Sequence, residues 1–159
     1  MNKKQILAKL VSVAKKDLEL AIEAQESASS FKFESDMKQE SKYDTRSIEA
    51  GYLSSAQTKR VEELKLELKL IEETPFYEYQ DGDEIALGAL LEIEVNKLKK
   101  NYFLASTAGG TMLEIDGKVV LVISLFSPIG NAVIGLKSGD VFELETKTGQ
   151  REYKICSVK

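Results

Sequence analysis

The chain has 159 residues, 43% hydrophobic and 30% charged, with a net charge of -4. That balance fits a folded protein with no global attraction to nucleic acid, so any contact with RNA or DNA must come from a local patch or through a partner. With no histidine and with Cys156 as the only cysteine, imidazole and thiolate metal sites, Ser-His triads and intrachain disulfides are excluded.

The opening Met1-Asn2-Lys3-Lys4 leads straight into a charged amphipathic pattern, without the apolar core of a signal peptide. No run of about 18 apolar residues follows, so the expectation is a cytoplasmic chain with no membrane span. From about Lys3 to Ser27, the residues Leu7, Val11, Ala14, Leu18, Ala21 and Gln25 recur at alternating spacings of four and three, which predicts one coiled-coil helix. Ser27-Ala28-Ser29-Ser30 is expected to interrupt it. A second helix is predicted from about Gln39 to Glu73, with its clearest seam at Val61, Leu64, Leu68 and Ile71 and weaker members at Ala50 and Leu53. Toward the far end Ser47, Ser54, Ser55 and Gln57 dilute the seam. Two such helices joined by a short break pack as an antiparallel hairpin.

Proline closes this half. Glu73-Thr74-Pro75 marks the boundary, because proline stops a helix and restricts the residue before it. Two domains are therefore expected, a helical hairpin over 1–74 and a second domain over 75–159. Glycine agrees: residues 1–50 contain none, 51–75 only Gly51, and the other nine lie from Gly82 onward. The second half reads as strands at Ala89–Asn96, Asn101–Ser106, Lys118–Ser124, Asp140–Thr146 and Arg151–Val158. Asp116-Gly117 makes a tight turn before the third strand, and Thr148-Gly149 closes the last hairpin. Cys156, in the last strand, reads as a small core residue. Pro128 to Gly135 is a candidate short helix, with Ser127 as its cap and Pro128 at its first position. The expected fold class is α+β, with a coiled-coil hairpin followed by a twisted antiparallel sheet carrying one short helix.

The run from Ser127-Pro128-Ile129-Gly130-Asn131-Ala132-Val133-Ile134 through Gly135-Leu136-Lys137-Ser138-Gly139-Asp140 resembles the C-terminal signature of the Gre factors. Glu152-Tyr153-Lys154-Ile155 is similar to that family's closing strand. The resemblance extends over the hairpin and implies an FKBP-like fold for the second domain. It also implies a function. The globular domain docks on bacterial RNA polymerase, and the coiled coil enters the secondary channel. Acidic residues at its tip then help hold a second magnesium ion and activate water, so that the polymerase cleaves the 3′ end of backtracked nascent RNA. Such a chain is not itself an enzyme: it stimulates the polymerase's own cleavage activity. It binds no cofactor stably alone, shares Mg2+ with the polymerase, meets DNA only through the elongation complex, and is a monomer.

Aligned through Tyr43, Asp36-Met37-Lys38-Gln39-Glu40 matches the family's acidic tip. Asp36 takes the place of the first catalytic acid. Gln39, a neutral amide, stands where the second acid belongs, and Glu40 follows it. Asp36 and Glu40, four apart, share a face if the segment is helical, and are the candidate catalytic and magnesium-binding pair. Acids in an exposed turn also serve simply to solvate it. Phe31, Phe33 and Met37 are expected to pack the turn on itself. Lys42, Arg46, Lys59 and Arg60, with Lys32 and Lys38, are candidate RNA contacts, against the ordinary role of a solvated helix face. Phe126, Ser127 and Pro128 match the loop through which the family contacts polymerase. Two alternatives stay open: a secondary-channel regulator or inhibitor that does not cleave, which Gln39 favours, and a coiled-coil interaction protein unrelated to polymerase.

Overall fold

The computed structural model describes residues 2–38 and 45–159. The chain forms two compact units, one of Val11–Lys69 and the other of Met1–Leu10 with Leu70–Lys159.

The helical unit is built from α1 (Lys3–Met37) and α2 (Thr45–Glu72). Ser27-Ala28-Ser29-Ser30 does not end α1, contrary to expectation. The Ser27 hydroxyl turns back to the Glu23 carbonyl (3.0 Å), which lets a serine sit inside a helix, and Ala28 is buried on the seam. With 35 residues, α1 spans about 50 Å at ~1.5 Å per residue. Its contacts with α2 are antiparallel. Ala21 packs with Val61 and Leu64, Gln25 Nε2 donates to Thr58 Oγ1 (3.1 Å), and farther along Asp36 meets Ser47. Contacts therefore climb α1 as they descend α2. The polar seam position Gln25 is tolerated because Thr58 satisfies it. Ala14, Ala21, Ala28 and Ala50 are buried, and such small side chains let two helix backbones approach closely.

The second unit carries a six-stranded sheet in the order β3-β4-β2-β1-β6-β5. The strands are β1 (Leu90–Val95), β2 (Leu98–Ala105), β3 (Met112–Ile115), β4 (Lys118–Ser124), β5 (Val141–Thr146) and β6 (Gly149–Val158). Three findings differ from the sequence expectation. Strand β3 was not foreseen, although Met112-Leu113-Glu114-Ile115 alternates exposed and buried just ahead of the Asp116-Gly117 turn. The sheet is also mixed rather than wholly antiparallel, because β4 pairs with β2 in parallel. Strand β3 folds back on β4 as a hairpin and takes the edge, which leaves β4 inside. That position explains the continuous apolar run at Val119–Ile123. Strand β2 begins at Leu98, three residues earlier than expected, because Asn96 and Lys97 take positive φ (51° and 63°) and close a two-residue hairpin with β1.

One core of this unit joins Leu91, Ile93, Tyr102, Leu104, Tyr153 and Ile155 of the sheet to Val133 of α3 (Pro128–Val133), with Phe142 stacked on Tyr153 at 5.1 Å between ring centres. Ile6, Leu10 and Ile71, from the helix segments assigned to this unit, are also buried. On α1 the buried positions near the start are thus Ile6 and Leu10, one residue off the predicted Leu7 and Val11, which are half-buried. Lys3 is 7% exposed: its ammonium donates to the Tyr77 carbonyl and lies 5.0 Å from the ring centre of Phe76 and 4.6 Å from that of Tyr79. Burial pushes its pKa down, and Glu78 pulls it partly back.

Candidate functional site

Two places collect the candidate residues, and each is built within one unit. The first is the turn between β4 and α3. Strand β4 ends at Ser124, whose carbonyl accepts from both the Ser127 amide (2.9 Å) and the Ser127 hydroxyl (2.7 Å). The Ser127 oxygen in turn accepts from the Gly130 amide (3.1 Å), so Ser127 caps α3 as its sequence predicts, with Pro128 in the first turn. The Phe126 amide donates to the Ser124 hydroxyl (3.2 Å), and the Leu125 amide to the Ala105 carbonyl (2.9 Å). This net pins the backbone on both sides of Phe126 while its ring stays 85% exposed. A large apolar side chain held out on a fixed backbone carries little ordering cost into a contact.

Two residues that sequence reasoning passed over make this turn, Ser124 and Gly130. A Cβ on Gly130 would lie 2.0 Å from the Ser124 carbonyl oxygen. That oxygen cannot yield without giving up its two bonds from Ser127. Gly130→Ala is therefore expected to cost about 1–3 kcal/mol, as overpacking does. The check is the thermal midpoint by circular dichroism, and an unchanged midpoint would mean that the turn relaxes freely.

The second place is the far end of the helical unit. Asp36 sits on the last turn of α1, exposed, and its carboxylate accepts a hydrogen bond from the hydroxyl of Ser47 on α2. Its proposed partner Glu40, the amide Gln39 and the basic Lys42 all lie outside the described residues. Arg46 lines a cavity of about 190 Å³ with Phe31, Glu34, Ser35 and Lys38. Lys59 and Arg60 both lie 3.8 Å from Glu63, so an acid is interleaved with this candidate phosphate-binding stretch. Phe31, Phe33 and Met37 do not pack inward. They are 52%, 66% and 73% exposed, because α1 stays helical through Met37 and carries them on its outer faces.

Among the described residues no group of three or more acidic or cysteine side chains is placed to hold a metal ion alone. Asp36 offers the oxygen donor that magnesium prefers, and one or two carboxylates suffice where the ion keeps its other ligands elsewhere. The donor set fits a contributing ligand.

A family model described as transcription elongation factor, GreA/GreB, C-term, matches residues 80–159. The chain is 27% identical over 125 residues to the transcription inhibitor protein Gfh1 of Thermus thermophilus, a match covering 77% of this chain and 76% of that one. It is 28% identical over 125 residues to the transcription elongation factor GreA of Methylococcus capsulatus, covering 78% and 73%. The crystal structure of Gfh1 from Thermus thermophilus aligns with a TM-score of 0.39 at 22% identity, covering 94% of each chain.

Proposed function

This chain belongs to the GreA/GreB family of transcription elongation factors, and on that premise we propose that it binds bacterial RNA polymerase and stimulates cleavage of backtracked RNA. Asp36 carries the cleavage half of the proposal: an exposed carboxylate on the last turn of a 35-residue helix, engaged by a hydroxyl of the facing helix. A long antiparallel helix pair of this kind supports a probe that enters a partner's cavity. The polymerase supplies the active site, in the cytoplasm, and the chain supplies groups to it.

Asp36 contributes one negatively charged oxygen donor beside the scissile phosphodiester and accepts a hydrogen bond from attacking water. Magnesium, when bound in the polymerase centre, supplies Lewis-acid polarisation of the phosphate. Glu40, four residues on, is proposed as the second acid. Phe126, with Ser127 and Pro128, is proposed as the docking contact. Arg46, Lys59, Arg60 and Lys42 are proposed to face the RNA 3′ end. The test is transcript cleavage in a stalled, backtracked elongation complex with magnesium, comparing wild type with Glu40→Gln. Faster cleavage with wild type than without factor supports the proposal, and its loss in Glu40→Gln supports the second acid.

One observation favours a second function. Gln39 is neutral where the Gre resemblance places an acid, and the similarity to an inhibitor supports a channel-blocking role as much as a cleaving one. Under that alternative wild type binds polymerase and slows it without cleavage. Gln39→Glu discriminates: it is expected to raise cleavage about tenfold or more by restoring an oxygen ligand of full charge. The measurement is the cleavage rate at saturating factor, and a Gln39→Glu rate no higher than wild type would mean that this position is not where the second acid acts.

A further inference from the structure

We propose that Ser47 is the positioning residue for Asp36. The inference rests on the proposed cleavage role. A surface carboxylate at a helix end has several rotamers of similar energy, and orienting it costs side-chain entropy. Here the hydroxyl of Ser47 donates to Asp36 Oδ1 from the neighbouring helix. The bond crosses from α2 to α1, so it sets the carboxylate relative to both helices. A serine hydroxyl has one proton to give. Spent on one oxygen of Asp36, it leaves the carboxylate's other lone pairs for water or a cation. The sequence has Gln39 where the second acid is expected and Glu40 one position on, so a first carboxylate set in advance matters more.

The experiment uses full-length factor in a backtracked elongation complex, with cleavage rate at saturation and half-saturating factor concentration measured separately. Ser47→Ala is expected to lower the saturated rate about tenfold or more, as loss of an orienting group does, with half-saturation unchanged. Ser47→Thr, which keeps the hydroxyl, restores the rate, and Ser27→Ala, distant from the tip, behaves as wild type. A Ser47→Ala rate equal to wild type, or a Ser47→Thr rate as low as Ser47→Ala, overturns the role of the hydroxyl. Wild type that binds polymerase without cleaving overturns the proposed function itself, and this inference with it.

Discussion

Asp36→Asn is expected to remove RNA cleavage from a factor that still binds polymerase. The substitution is nearly isosteric, and its amide oxygen still accepts the Ser47 hydroxyl, so the meeting of α1 and α2 near the tip is preserved. What is lost is the charge. A neutral amide is a weaker ligand for magnesium and a weaker acceptor for water, and groups that handle the proton or ion of a transition state contribute on the order of 10²-fold or more. The loss should fall on the saturated cleavage rate and leave the half-saturating concentration of factor unchanged, because the role proposed for Asp36 is in the reaction and not in docking. If Asp36→Asn cleaves like wild type, the acidic tip is a solvated turn and the activity, if any, comes from elsewhere on the chain.

Phe126→Ala is expected to weaken polymerase binding without weakening the fold. The ring is 85% exposed, so its removal takes almost nothing from the core, and surface truncations of this kind usually fall within about 0.5 kcal/mol. Its backbone is held by Ser124, Ser127 and Ala105 whether or not the ring is present. An exposed aromatic on a fixed backbone is the kind of residue that dominates a binding interface. Truncating such an anchor typically costs about 2 kcal/mol or more, or roughly 30-fold in affinity. Titration of labelled factor with polymerase core, beside a thermal melt of the free protein, separates the two effects. Wild-type affinity in Phe126→Ala would move the docking contact away from this turn. A lowered melting temperature would mean that the ring packs in solution.

Much of the fold was legible in the sequence where the deciding interactions are local. The 3–4 seams mark both helices because apolar spacing and helical period coincide over many turns, and Val61, Leu64 and Ile71 are buried as their spacing requires. Ser127 and Pro128 announce the start of α3 because a cap needs only its own next three residues. The breakdowns come where local chemistry is ambiguous. Ser27-Ala28-Ser29-Ser30 looks like a break, since serine competes for backbone hydrogen bonds. The helix continues with Ala28 buried and the Ser27 hydroxyl bonded back to the Glu23 carbonyl, an outcome that serine content alone does not reveal. Strand β3 escaped because four residues carry too weak an alternation to stand apart from a loop.

The candidate sites divide along the same line. That an acid stands at position 36, that Gln39 is neutral where the resemblance places a second acid, and that Phe126-Ser127-Pro128 precedes a capped helix are all properties of residue identity and order. By itself the sequence determined two helices, most of their seam positions, five of the six strands, the capped turn and the family signature, because each depends on neighbours within a few positions. Tertiary structure alone decided that Ser47 reaches Asp36, that Ala105 receives the Leu125 amide beside Phe126, and that β4 lies parallel to β2. Those contacts join groups from different segments, and their free energy depends on a distance in space that residue order does not contain.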